Sequence, residues 1–181
     1  DDGDGLVDEG LDCRYEVELE VTADDEYIAY ADGSFIGAND DWQEINTHST
    51  FLTAGTHTIA AEVFDNYNVY IGFLASIYVD GTLEPAYNTG AGSWFAASTP
   101  GSTGWMNDVS LLGGVVDSSA LASCNWGSYW PADLLNNGAH WIFNGSCNSP
   151  SSNPENYFAI EVEVCPQAVM SDSDEAEEST A

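Results

Sequence analysis

Alternation with a period of two residues dominates the chain. Residues 15–21 read Tyr-Glu-Val-Glu-Leu-Glu-Val, with Tyr15, Val17, Leu19 and Val21 on one side and Glu16, Glu18 and Glu20 on the other. Residues 158–164 read Phe-Ala-Ile-Glu-Val-Glu-Val and repeat the pattern near the other end. Such alternation predicts β-strands with one face in a core and one in solvent. Between them, residues 27–30 and 34–36 flank Ala31-Asp32-Gly33, a hairpin signal. A strand over 56–64 follows the turn at Ala54-Gly55, and a long apolar and aromatic run over 69–79 ends at the turn Asp80-Gly81. Residues 139–143 read as a short buried strand. From 85 to 138 the chain is richer in Gly, Ser, Asn and Trp, which predicts long loops and short strands. Residues 131–137, ahead of Gly138, suit one helical turn with a glycine stop. Nothing else looks helical. Many short strands between turn signals predict an all-β sandwich with long loops and at most one short helix.

Composition narrows the partners. The 181 residues contain 31 Asp and Glu against one basic side chain, Arg14, for a formal net charge of −30. No basic patch can be built, which argues against nucleic acid and anionic membranes and favours cations as counter-ligands. Acidity that only maintains solubility accounts for the charge equally well. No apolar run is long enough to span a bilayer, so no membrane insertion is expected. The chain starts at Asp1 without an initiator Met or a signal peptide, and reads as a mature fragment of a longer polypeptide.

Four cysteines allow three pairings, and none has the CxxC spacing of zinc or redox sites. An even count in an acidic, Ser/Thr/Asn/Gly-rich chain suits disulfides, and with them an extracellular or cell-surface location. The preferred pairing is nested, Cys13–Cys165 and Cys124–Cys147. The first pair needs a bulge, or cysteines just outside the ladder, because Cys13 has the parity of an apolar face and Cys165 that of a Glu face.

The ends are acidic. The chain divides into an Asp-rich segment over 1–13, a sandwich over 14–165 and an acidic tail or linker over 166–181. The segment Asp2-Gly-Asp-Gly-Leu-Val-Asp-Glu-Gly-Leu-Asp-Cys13 resembles the Asp-rich calcium loops of thrombospondin type 3 and dockerin repeats, and metal-binding motifs of secreted bacterial proteins. By that resemblance Asp2, Asp4, Asp8 and Asp12, with the Leu6 carbonyl, are calcium ligands, calcium being the cofactor implied. The loop starts late, since its expected first Asp would precede residue 1. An acidic linker has the same composition. Asp24 with Asp25, and Asp40 with Asp41, are weaker metal candidates, for which turn chemistry is the favoured explanation.

A second resemblance covers roughly residues 15–164. Its pieces are Ala23-Asp-Asp-Glu-Tyr27, Tyr30-Ala-Asp-Gly-Ser-Phe-Ile-Gly37, Trp42, Leu52-Thr-Ala-Gly-Thr-His-Thr-Ile-Ala60, Gly72-Phe-Leu-Ala-Ser-Ile77, Ala139-His-Trp-Ile-Phe143 and Tyr157-Phe158. Their order resembles the galactose-binding-like, jelly-roll class of extracellular β-sandwich modules. Phe143 replaces the usual second Trp, and Ala159 stands where that class carries an Arg. The resemblance implies carbohydrate binding or a scaffold role, and fold class alone does not choose between them.

Among six tryptophans, Trp141 reads as core. Trp94, Trp105, Trp126, Tyr129 and Trp130 lie in the Gly/Ser-rich half, where exposed rings would stack on sugars or on a partner protein; anchoring in a core is the commoner fate. His48, His57 and His140 are scattered, and His57, inside a predicted strand, reads as structural. No GxSxG, phosphate-binding loop or lysine is present, and 31 carboxylates make any proposed glycosidase pair uninformative. Asn144-Gly-Ser146 is a glycosylation sequon. The expected function is a non-catalytic, secreted structural or adhesive module, filament-forming or otherwise self-associating or bound to a surface protein, and stabilised by calcium and disulfides. A carbohydrate-binding module is the second reading, with glycans as partners, and a glycoside hydrolase the third.

Overall fold

The computed structural model describes residues 14–67, 71–91, 93–113, 132–143 and 154–164. It is an all-β sandwich of two antiparallel sheets. The strands are β1 (Arg14–Asp24), β2 (Glu26–Ala31), β3 (Ser34–Asn39), β4 (Asn46–Thr53), β5 (Gly55–Phe64), β6 (Gly72–Val79), β7 (Thr82–Leu83), β8 (Phe95–Ala97) and β9 (Glu155–Val164). Sheet A has the order β4-β1-β6-β7 and sheet B the order β3-β2-β5-β9-β8. The two alternating ribbons thus lie in different sheets, β1 inside sheet A and β9 inside sheet B.

Register follows from the pattern. Val17, Leu19, Val21 and Ala23 point inward beside Phe73, Ala75 and Ile77 of β6. Ile59, Ala61 and Val63 of β5 do the same beside Ile160 and Phe158 of β9. Phe73 stacks on Phe158 across the sandwich with ring centroids 5.2 Å apart. The glutamates face outward, and none stands opposite another. Glu16, Glu18 and Glu20 pair with Phe51, Ser49 and Thr47 of β4, and Glu161 and Glu163 with Thr58 and Thr56 of β5. Direct like-charge pairs, which destabilise a sheet, are thereby avoided.

Both Asp-Gly turns hold positive φ at each central residue, 46° and 72° at Asp32-Gly33 and 48° and 71° at Asp80-Gly81. That is the conformation a two-residue hairpin demands and Asp-Gly accommodates best. The short helix α1 (Ala132–Asn136) ends as expected. Gly138 has φ 86°, with Gly138 N–H donating to the Leu135 carbonyl and Ala139 N–H to that of Leu134.

Each outer sheet face carries a partial cover. On sheet A, Leu134, Ala139, Trp141 and Phe143 pack over Leu74. Residues 139–143 do this without forming the expected strand, making one bridge, Phe73 to Ile142. On sheet B, two 3-10 turns (Thr103–Met106 and Val109–Leu111) set Trp105, Val109 and Leu112 over Ala60 and Ala159.

Candidate functional site

Carboxylates crowd together at one corner of the sandwich. Arg14 opens β1 and Asp24 closes it, so the only basic side chain other than histidine sits a full strand, roughly 33 Å, from the acidic corner. At that corner the ends of three strand pairs converge. β1 gives Asp24, the link to β2 gives Asp25, β2 gives Glu26, β5 and its exit give Glu62 and Asp65, and β9 gives Glu155.

Backbone bonds fix the arrangement. Asp25 N–H donates to the Phe64 carbonyl at 2.9 Å, and Asp65 N–H to the Pro154 carbonyl at 2.8 Å. Asn66 N–H donates to Asp25 Oδ2 at 2.9 Å, Asn66 Nδ2 to Glu26 Oε2 at 3.3 Å, and Tyr67 N–H to Asp65 Oδ1 at 3.1 Å. The peptide joining Asp24 and Asp25 is cis. Asp24 and Asp65 are both buried, at 7% and 2% exposure.

Such crowding disfavours ionisation. Burial, a hydrogen bond with Asp25 and the charges of Asp25 and Asp65 raise the pKa of Asp24 to about 8. Around the corner, Tyr157 donates to Glu155 Oε2 at 2.9 Å and shares a hydrogen bond with Glu62. Burial and the Glu155 charge raise the Glu62 pKa against the opposing pull of that bond. Burial and the two glutamates push the Tyr157 hydroxyl well above the usual phenol range. Asp24 therefore holds its proton at a pH where an isolated carboxylate has lost it.

The sequence-predicted sites fare differently. Asp24 and Asp25 do meet, and Asp65 joins them. Asp40 and Asp41 stand apart in the turn after β3, where Asp41 N–H donates to Asn39 Oδ1 and Asp41 Oδ1 accepts from Gln43 N–H. That is turn chemistry. Among the described residues no group of three or more His, Cys, Asp or Glu is arranged to hold a metal ion. Asp2, Asp4, Leu6, Asp8, Asp12, the four cysteines, Trp126, Tyr129, Trp130 and Asn144 lie outside the described residues.

Two members of the expected sugar-stacking set are corrected by their burial. Trp94 is 1% exposed, set edge-on against Phe73 at 5.2 Å, with its indole N–H donating to the Tyr87 carbonyl at 3.0 Å. Trp105 is 4% exposed, held edge-to-face between Tyr30 and Tyr157. Neither ring offers a face to a sugar, because each anchors an irregular segment onto the sheets.

Comparison of the chain with protein-family models, curated proteins and solved structures yields no match.

Proposed function

We propose that the chain is a non-catalytic structural or adhesive module of an extracellular or cell-surface assembly, whose association is governed by cations and protons. The supporting observation is the crowding of carboxylates in a chain of net charge −30 with one Lys or Arg side chain. Carboxylates from β1, β2, β5 and β9 are gathered at one end. Two such modules repel until counterions or protons neutralise that end. The galactose-binding-like resemblance fits the two-sheet architecture and belongs to this reading as its fold family. So do calcium at Asp2, Asp4, Leu6, Asp8 and Asp12, and the nested disulfides Cys13–Cys165 and Cys124–Cys147. Light scattering of the purified chain across salt, calcium, chelator and pH is the test. Growth in mass on adding calcium, reversed by chelator, supports the proposal; a monodisperse monomer under every condition ends it.

A further inference from the structure

At the opposite end of the sandwich, one histidine joins the two sheets. His57 lies near the start of β5 in sheet B, with its side chain 13% exposed. Its Nδ1 is 2.6 Å from Asp32 Oδ2 in the β2–β3 turn. Its Nε2 is 2.8 Å from the carbonyl oxygen of Thr53, the last residue of β4 at the edge of sheet A. A carbonyl and a carboxylate only accept hydrogen bonds, so both ring nitrogens must carry hydrogen and the ring is an imidazolium. Asp32 is held in place for this contact. Its Oδ1 accepts from Thr58 N–H, and its own N–H donates to the Thr58 carbonyl, each at 2.9 Å.

We propose that His57 and Asp32 form a proton-operated latch, which in its charged form fastens the β4–β5 corner to the β2–β3 hairpin and on losing the proton lets the corner go. A neutral ring has one donor for two acceptors, so one of the two bonds must fail. The other groups facing the ring sharpen the effect. Glu163 of β9 adds negative charge beside it, held by a hydrogen bond from Thr56 Oγ1 at 2.7 Å. On β1, Arg14, the one Lys or Arg of the chain, stands opposite Thr53 in the register. Burial alone would lower the pKa of the ring. The bonds to Asp32 and Thr53 and the charges of Asp32 and Glu163 outweigh it, so His57 holds its proton above the usual histidine range. Its contribution to stability is therefore complete below the ordinary histidine pKa and is lost as pH rises through the raised one.

The second histidine of this edge provides an internal control. His48 of β4 reaches Tyr27 in sheet B, its Nε2 2.8 Å from the hydroxyl, a contact the neutral ring satisfies. Burial lowers its pKa. One sheet-to-sheet pin is thus indifferent to alkaline pH, and the other releases.

Nitrogen-15 NMR of the histidine rings, with amide hydrogen exchange, tests this on the whole chain. Both His57 nitrogens should be protonated at neutral pH, with a midpoint above that of an exposed histidine. Exchange at the Thr58 amide should accelerate by about tenfold beyond its ordinary base-catalysed rise as that midpoint is passed. Asp32→Asn, which keeps a residue tolerant of positive φ in the turn, should drop the midpoint to the ordinary value or below and abolish the extra acceleration. A neutral His57 ring at pH 6, or a midpoint unchanged in Asp32→Asn, would overturn the latch. If that variant does not fold, the wild-type titration alone decides.

Discussion

Gly37→Ala is the sharpest test of the packing between the two sheets. Gly37 of β3 faces inward opposite Ala29, and a methyl group built there overlaps the His48 imidazole. The ring has to swing away. In doing so it breaks the hydrogen bond between His48 Nε2 and the Tyr27 hydroxyl, and the edge-on ring contact at 5.8 Å. Tyr27 is 1% exposed, so water cannot replace the lost partner. Overpacking costs about 1–3 kcal/mol, and a buried hydroxyl left without a partner about 1–3 kcal/mol more. Replacing a strand glycine by alanine returns roughly 0.5–1 kcal/mol. The net expectation is a loss of about 1–5 kcal/mol, a large share of the ~5–15 kcal/mol stability of an ordinary domain. Urea unfolding at pH 7 measures it, as a lower midpoint at unchanged slope. The double variant Gly37→Ala/His48→Ala adds a sharper criterion. Removing the ring removes the clash, so the two losses should fall short of additivity by at least ~1 kcal/mol. A Gly37→Ala loss under ~0.5 kcal/mol, or strict additivity in the cycle, refutes the reasoning.

Two further substitutions probe the acidic corner and the sheet B cover. Because Asp24 keeps its proton to about 8, its favourable contribution is fully present below the ordinary carboxylate pKa and lost as pH rises toward 8. Asp24→Asn should flatten that decline, so urea midpoints at pH 5 and pH 9 converge relative to wild type; parallel curves would show that Asp24 is not the group responsible. Trp105→Ala should cost about 3–5 kcal/mol by removing the ring packed on Ala60 and Ala159. Limited proteolysis should then cut within 98–113 before any strand, and resistance there would mean the segment is held by something else.

What the sequence made legible follows from where each signal resides. β1 and β9 announce themselves because over residues 15–21 and 158–164 the inward positions are all apolar and glutamate recurs on the outward face. The Asp-Gly hairpins need only local backbone chemistry, and so do α1 and its glycine stop. β4 escaped notice because its inward positions include Asn46, His48 and Thr50, set against Val21, Leu19 and Val17 of β1; polar residues on both faces erase the alternation. β7 and β8 are two and three residues long, too short for a period. The corner was half visible. Asp24 and Asp25 are neighbours in sequence, but Asp65 reaches them only through the β2–β5 pairing, and Glu62 meets Glu155 only through the β5–β9 pairing, which a single sequence does not reveal. Trp94 and Trp105 sit in segments whose Gly and Ser content marks them as loops, and it gives no sign that the rings point into the protein. His57 reads as structural in the sequence, because the acceptors on both sides of it come from a turn and from β4, whose pattern carries no strand signal.

The buried tryptophans give the molecule a set of built-in optical reporters, one to a layer. Trp94 lies between the sheets, Trp105 beneath the segment on sheet B, and Trp141 beneath the helix-bearing segment on sheet A. Variants that each keep Trp94, Trp105 or Trp141 as the sole one of the chain's six tryptophans would report through emission colour whether the layers come apart together or in succession during unfolding.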